Sequence, residues 1–412
     1  MRLLFLTDNF PPEVNAPATR TYEHCKEWVN AGVDVTVITC TPNFPQGKVY
    51  KGYRNKLWQR EVIDGIKVIR VWSYIAPNDG FYKRVVDYVS FGLMAFFASL
   101  FVKTDLIVAT SPQFFTAVGG YLASTFKRRP WIMEVRDLWP ISIKAVGAVS
   151  GKEKLLTRLE ALELFLYRSA AKVVVVTHSF KADLARRGIP EDKVEVVTNG
   201  VYTSKFSPRS KDAALLKELN LEGKFVLGYA GTFGLAHKLV FILRCAPHVA
   251  DNVHFLLIGD GAKRKQLLDQ VKTYNLTNVT ILPSVAKNDI ARYLSVVDVA
   301  LVNLRRTDAF KTVIPSKIFE NAAMGKPILL GVEGESQEII ERYSAGLCFI
   351  PEDEADFLRQ LNRLASDEAL YATCQENCID LARDYDRGKL ANSMLAVIES
   401  TVAERKREPV GS

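Results

Sequence analysis

The stretch FVLGYAGTFGLAHK, residues 225–238, runs from an apolar segment through two glycines, Gly231 and Gly234, into the start of a helical pattern. Six residues without polar alternation suit a strand covered on both faces of a parallel sheet, and a glycine turn feeding a helix is the connection that such a sheet requires. The same unit recurs on both sides. Apolar or β-branched runs at 254–258, 279–281, 299–302, 327–330 and 345–350 alternate with helical patterns after it, and runs at 3–6, 33–38, 67–71, 106–109, 131–135 and 172–176 do so before it. Alternation from end to end predicts two doubly wound, Rossmann-like α/β domains.

The length of 412 residues agrees, since it exceeds one ordinary core and suits two domains of roughly 200 residues each. The boundary is expected near VVTNGV, residues 196–201, where a strand meets an Asn-Gly turn and a polar stretch follows. This gives domains at 1–200 and 201–385, with a last helix, 386–405, returning to the first. Hydrophobic residues at 48% and charged residues at 24% exclude disorder and a polytopic membrane protein. Six scattered cysteines without a C-x-x-C pair read as plain thiols in a reducing cytoplasm. The apolar run at the N-terminus meets Asp8 too soon for a signal peptide and reads as a first strand.

The net charge of +8 lies entirely in the first 200 residues, which hold 27 basic and 19 acidic side chains. Such an asymmetry suits an anionic partner, whether nucleic acid, phosphorylated lipid or a membrane surface, and equally a solubility charge. Residues 85–102, VVDYVSFGLMAFFASLFV, carry one charge, Asp87, between basic flanks. Eighteen helical residues span roughly 27 Å, just short of a bilayer core, and a position inside an α/β unit excludes spanning and favours a buried crossover helix over one that also dips into a membrane interface. Nearby, KGYRNKLWQR at 51–60 combines basic residues with Tyr53 and Trp58, a loop composition that suits lipid headgroups or solvent.

Open doubly wound sheets bind ligands beyond the carboxyl ends of their strands, so the residues after each strand are the candidates. After the first strand, Asn15 and Ala16 open a helix whose N-terminus suits either a phosphate or a plain loop. The strand expected at 131–135 is followed by Arg136-Asp137-Leu138-Trp139-Pro140, where Trp and Pro fix the loop and the Arg-Asp pair reads as an ion pair or as groups facing a cleft. The glycine loop Gly231-Thr232-Phe233-Gly234 leads to Lys238, and two further turns, Gly259-Asp260-Gly261 and Leu282-Pro283-Ser284-Val285, share its rim. Backbone N–H groups in such loops favour phosphate. The most informative stretch is TVIPSKIFENAAMGKP, residues 312–327. Pro315 and Ser316 begin a helix on whose first turns Lys317 and Glu320 stand three apart, a carboxylate for ribose hydroxyls beside an ammonium for phosphate, or a surface ion pair.

Taken together, these motifs resemble glycosyltransferase family 4, retaining enzymes of the GT-B fold. The likeness rests on the first strand and its loop, on Val197-Thr198-Asn199-Gly200-Val201 with Phe206, on Tyr229-Ala230-Gly231, on Ile258-Gly259-Asp260-Gly261, and on the stretch from Pro315 to Pro327. The last stretch and Arg136 to Pro140 look most like the O-antigen and capsule branch that includes N-acetyl-L-fucosaminyltransferases. The family's E-x7-E pattern places carboxylates at 312 and 320, where this chain has Thr312 and Glu320. Its usual Arg and Lys after the glycine loop fall at Thr232 and His237, with Lys238 one residue beyond.

The resemblance implies a UDP-sugar donor held between two domains by Gly231, Thr232, Gly259, Val285, Thr312, Ser316, Lys317 and Glu320. It implies leaving-group stabilisation by Lys238 and Lys317, orientation of sugar or acceptor by Arg136 and Asp137, and acceptor binding by Asn15, Ala16 and Arg20. Neither a metal nor another cofactor is expected. The implied acceptor is a polyprenyl-diphosphate-linked sugar at the cytoplasmic face of the inner membrane, met by the basic domain, with no nucleic acid involved, in O-antigen, lipopolysaccharide or capsule synthesis. Two other readings are a nucleotide-sugar epimerase of the same fold and a non-catalytic membrane- or nucleic-acid-binding protein.

Overall fold

A computed structural model describes the chain except for residues 45, 76–80, 112, 139–152, 287 and 408–412. The chain folds as two compact units, Met1–Thr198 with Arg387–Ser412, and Asn199–Asp386.

In the first unit, eight strands form one sheet: β1 (Arg2–Leu6), β2 (Asp34–Cys40), β3 (Trp58–Ile63), β4 (Ile66–Val71), β5 (Leu106–Thr110), β6 (Trp131–Val135), β7 (Lys172–Val175) and β8 (Val194–Val196). Their order is β3-β4-β2-β1-β5-β6-β7-β8, parallel except at β3. β5 and β6 are buried at every residue, which is why they appear in the sequence as unbroken apolar runs. The antiparallel edge corrects the expectation of a loop over 51–60. Trp58–Ile63 pairs with Ile66–Val71 around Asp64 and Gly65, both at positive φ. Asp-Gly between two β-rich runs is the residue pair that a two-residue hairpin turn demands.

The apolar segment forms most of the helix Phe81–Leu100 and runs two residues past its end, and no helix among the described residues is long and apolar enough to cross a membrane. Phe91, Ala95 and Ala98 are buried in the same core as the inner face of Phe114–Lys127. Two glycines let the helices meet. A Cβ at Gly92 would lie 2.5 Å from the Phe115 carbonyl oxygen, and one at Gly119 would lie 2.6 Å from the Gly92 carbonyl oxygen. On the other face of the sheet, the helix Arg387–Arg407 packs beside Ala16–Asn30. Trp28 Nε1 donates to the Ala391 carbonyl at 2.8 Å, and Arg387 pairs with Glu23. Met394 and Ile398 are fully buried there, worth about 1.5–3 kcal/mol each by area removed from water.

The second unit holds a six-stranded parallel sheet: β9 (Phe225–Ala230), β10 (Val253–Ile258), β11 (Val279–Leu282), β12 (Val299–Asn303), β13 (Ile328–Gly331) and β14 (Gly346–Cys348). The order β11-β10-β9-β12-β13-β14 reverses direction between β9 and β12, as the order of the first sheet reverses between β1 and β5. Crevices at such reversals, beyond the carboxyl ends of the strands, are where open sheets bind ligands.

Candidate active site

At the β9/β12 reversal the backbone leaves β9 through Gly231 at φ 148° and meets the turn after β10 edge to edge. Gly231 N donates to the Ile258 carbonyl at 2.9 Å, Phe233 N to Asp260 at 2.8 Å, and Lys263 N to Phe233 at 2.9 Å. A Cβ at Gly259 would stand 1.8 Å from the Gly231 carbonyl oxygen, so the two glycine loops interlock only because that residue has no side chain. Tyr229 adds a brace, its hydroxyl donating to the Thr232 carbonyl at 2.8 Å.

Lys317, the first residue of the helix Lys317–Ala323, lies across this brace with Nζ 3.9 Å from the centroid of the Tyr229 ring. The same Nζ would be 2.9 Å from a Cβ at Gly231, so it stands directly over the glycine loop. Burial pushes its pKa down to about 7, and the nearby Glu320 opposes that shift. His237 meets Tyr229 edge-on, its ring centroid 5.8 Å from the phenol. Burial and then the Lys317 charge lower its pKa to about 4. Asn303, the last residue of β12, donates from Nδ2 to the His237 carbonyl at 2.9 Å and leaves Oδ1 buried without a partner. The site therefore offers an ammonium above the glycine loop, a neutral imidazole and an amide, a set suited to a diphosphate.

The stretch from Thr312 to Pro327 divides in two. Ser316 is the N-cap of the helix and makes no side-chain capping bond, Thr312 and Glu320 are half-buried, and these face the ligand question. The remainder is structural. Asn321 Nδ2 donates to the Lys317 carbonyl at 2.7 Å, Gly325 turns the chain at φ 65°, and the buried Lys326 donates to the Ser295 carbonyl at 3.0 Å. Lys238 adopts a left-handed φ of 46° before the helix Leu239–Cys245 and forms an ion pair with Glu352 at 3.2 Å. Its ammonium is thus tied to the loop before Glu354–Ser366, while Lys317 alone of the two lies over the glycine loop. Val285 is half-buried against the core formed with Ile258 and Val297.

The first unit has its own polar crevice at the β1/β5 reversal. Asn15 caps the helix Ala16–Asn30, its Oδ1 accepting from Ala18 N at 2.8 Å and its Nδ2 donating to Asn9 Oδ1 at 2.6 Å, while Ala16 is exposed. Arg20 is a correction. It is 3% exposed, pairs with Glu134 at 3.0 Å and donates to the carbonyls of Thr198 and Val197 at 2.6 and 2.8 Å, so it ties β6 to the end of the unit and does not face an acceptor. The Arg136 backbone N–H donates to Ser111 Oγ at 2.8 Å, and its Nη1 is buried without a partner. Burial lowers the Arg136 pKa to about 10. Desolvation raises the Asp137 carboxyl, against the pull of Arg136, although much of that residue's surface is open. Trp139 and Pro140, which were expected to hold this loop, lie outside the described residues.

Sequence reasoning passed over the carboxylates of this crevice. Glu13 is buried, its Oε1 accepting from Asn43 N and Phe44 N at 2.7 and 2.9 Å while Oε2 has no partner. Asp8 Oδ1 and Gln113 Oε1 are likewise buried without partners. Burial raises Asp8 to about 6 and Glu13 to about 7, and Asp87 rises to about 7 through burial and the Asp8 charge. The available signal was an acid placed directly after a buried strand, Thr7-Asp8. Among the described residues no group of three or more His, Cys, Asp or Glu side chains forms a metal site.

Residues 15–200 match the glycosyl transferase 4-like domain family, and residues 224–367 match the glycosyl transferases group 1 family. A glycosyl transferase of Escherichia coli K12, WcaI, named for colanic acid biosynthesis, is 24% identical over 85% of this chain and 89% of its own. Sucrose-phosphate synthase from Thermosynechococcus elongatus superposes with a TM-score of 0.77 at 16% identity, over 98% of this chain and 99% of its own. The Anabaena protein HepE, solved with UDP-glucose, does so with a TM-score of 0.72 at 17% identity, over 97% of this chain and all of its own.

Proposed function

Since the chain belongs to the family 4 glycosyltransferases of the GT-B fold, we propose that it moves a sugar from a UDP-sugar to a polyprenyl-diphosphate-linked saccharide, with retention of configuration, in the synthesis of a bacterial surface polysaccharide. The observation that carries the donor half is Lys317 poised over Gly231 and Tyr229 at the β9/β12 reversal. UDP-glucose in the HepE structure and the colanic acid name of WcaI support the donor class and the product class. N-acetyl-L-fucosamine or a related hexose is the proposed sugar. The membership leaves the epimerase and binding-protein readings without support.

In this reading the diphosphate lies over the 231–234 loop beside Lys317, Glu320 accepts from the ribose hydroxyls, and Gly259, Thr232, Thr312, Ser316 and Val285 line the nucleotide. As the anomeric carbon–oxygen bond breaks, negative charge grows on the departing phosphate, and Lys317 stabilises that charge more in the transition state than in the ground state. The acceptor hydroxyl attacks from the same face and passes its proton to the departing phosphate oxygen, so no protein nucleophile and no metal takes part. Asn15, Ala16, Arg136 and Asp137 in the first unit orient the acceptor or the transferred sugar. The enzyme works from the cytoplasmic side of the inner membrane.

The test is thermal unfolding with UDP, GDP, dTDP and NAD⁺, on wild type and Glu320→Ala, because a ligand of the native state raises its stability. Stabilisation by UDP that Glu320→Ala removes is expected, followed by transfer from UDP-sugars to a lipid-linked acceptor with the anomer preserved by NMR. Absence of any nucleotide effect on wild type would overturn the donor assignment.

A further inference from the structure

Two sequence features take no part in the transfer reaction, the apolar stretch 85–102 and the aromatic-basic stretch 51–60, and in the first unit they meet. Trp58 of β3 stacks edge-on against Phe101, just past the helix Phe81–Leu100, with ring centroids 6.2 Å apart. Arg60 lies over the Trp58 ring at 5.4 Å.

The helix carries an exposed apolar stripe along its whole length. Val86, Leu93, Phe97 and Phe101 follow at spacings of seven and four, one helical face, and Phe101 is 78% exposed. Beside it, Phe126 of Phe114–Lys127 is 71% exposed and meets Phe96 at 6.4 Å. Buried helical faces pack the core through Phe91, Ala95 and Ala98, whereas Phe97, Phe101 and Phe126 lie outside that core. Single exposed apolar residues need no explanation, but a contiguous aromatic stripe on two neighbouring helices does.

The charge around the stripe has one sign. Lys83 and Arg84 stand exposed at its beginning, and Lys103, Arg128 and Arg129 stand exposed at its end. Between residues 88 and 133 the sequence contains a single acid, Asp105, and Arg2 neutralises it at 2.7 Å. Lys127 donates to the Leu100 carbonyl at 3.3 Å, an ordinary helix-end contact, and is set aside. A second copy of the chain would bring these cations face to face, whereas an anionic lipid surface complements both the rings and the charges. The helix also begins beside the chemistry, since Asp87 on its first turns feels the charge of Asp8 in the β1/β5 crevice.

We propose that this face, the stripe from Val86 to Phe101 with Phe126 and Trp58, is a docking surface on which the first unit lies flat on an anionic lipid bilayer. The proposal deepens the acceptor reading and rests on it for its purpose: a helix about 30 Å long lying in the headgroup region holds the crevice at its beginning beside the membrane, where a lipid-linked sugar is presented.

The experiment is co-sedimentation of the full chain with vesicles of phosphatidylcholine and phosphatidylglycerol, compared with phosphatidylcholine alone, at low and high salt. Wild type is expected to bind the phosphatidylglycerol vesicles and to release them in salt. Replacing three cations, Lys103→Gln, Arg128→Gln and Arg129→Gln, is expected to weaken partition roughly a hundredfold, from about 1 kcal/mol for each basic residue at an anionic surface. Phe101→Ser with Phe126→Ser is expected to lose binding, while Tyr274→Ser, an exposed aromatic of the second unit, keeps it. UDP-induced stabilisation in each variant confirms folding and separates the two readings, because failure of the UDP effect with intact vesicle binding overturns the donor site alone. Failure of wild type to bind, equal binding to both vesicles, or a dimer in sedimentation velocity that Phe101→Ser with Phe126→Ser dissolves would overturn the docking surface.

Discussion

Replacing Lys317 by Met tests the donor site through the free protein as well as the complex. An ammonium held near pKa 7 instead of its ordinary 10.5 is destabilised by at most about 5 kcal/mol, at about 1.4 kcal/mol for each tenfold in proton affinity. Local relaxation reduces that to on the order of 3 kcal/mol. The folded-state pKa is the lowered one, so this cost is full below about pH 7 and fades as pH rises towards 10.5, where the unfolded chain also loses its proton. Lys317→Met therefore raises the melting temperature of the ligand-free protein at pH 6.5, by roughly 5–10 °C for a domain of this size, and changes it little near pH 10. UDP reverses the sign. A diphosphate facing Lys317 restores its charge, and losing a charge-assisted hydrogen bond costs about 1.5–3 kcal/mol, or roughly 10–100-fold in affinity. At a UDP concentration about 100 times the wild-type Kd, stabilisation of about 2.7 kcal/mol falls to about 0.4–1.4 kcal/mol in the variant. Calorimetry at pH 8 in buffers of different ionisation enthalpy is expected to show wild type taking up close to one proton with UDP, and the variant none. A ligand-free Lys317→Met that melts lower at pH 6.5, or one that keeps the full UDP shift, would refute this account of the site.

Glu320→Ala is expected to abolish the preference for UDP over 2′-deoxy-UDP, a preference of roughly tenfold or more if the carboxylate accepts the ribose hydroxyl, as read by competitive titration. Gly259→Ala places a methyl 1.8 Å from the Gly231 carbonyl oxygen at a φ of 157°, so urea unfolding should show a loss of about 3 kcal/mol or more together with weakened UDP binding. Arg20→Met leaves Glu134 buried and unpaired and is expected to cost the first unit about 3–5 kcal/mol while leaving UDP affinity unchanged; a fully stable variant with altered acceptor KM would return Arg20 to the acceptor site.

The parallel strands were legible because burial on both faces writes them as unbroken apolar runs. β3 was not, because an edge strand wet on one face alternates, and its Trp58 and Arg60 carry the composition of a solvated loop. The decisive signal was the Asp64-Gly65 pair, whose positive φ values only a tight turn requires. In the second unit the spacing of Ser316, Lys317 and Glu320 marked the ligand-facing turn, yet it could not separate Lys317 from Lys238. The two lysines differ only in what the fold brings near them, the Tyr229 ring for one and Glu352 for the other. Arg20 misled for the opposite reason. A basic residue on the first turns of a helix after β1 looks available, and only the long-range neighbour Glu134, 114 residues away, shows that it is not.

The two crevices are electrostatic opposites. In the second unit Lys317 is the charge over the glycine loop and His237 is held neutral, so an anion gains most there. In the first unit Asp8, Glu13 and Asp87 gather at the carboxyl edge, and each resists ionisation because burial disfavours the charged form, with the Asp8 charge adding to the effect at Glu13 and Asp87. A diphosphate is therefore drawn to the second crevice, whereas the unpartnered carboxylate and amide oxygens of the first suit the hydroxyl groups of a sugar. Part of the basic excess of the first 200 residues, Lys83, Arg84, Lys103, Arg128 and Arg129, stands exposed around the apolar stripe and not in the crevice. One unit thereby presents acceptors to hydroxyls at the carboxyl ends of its strands and cations to a lipid surface along one flank, which are the two contacts that a sugar carried on a lipid diphosphate requires.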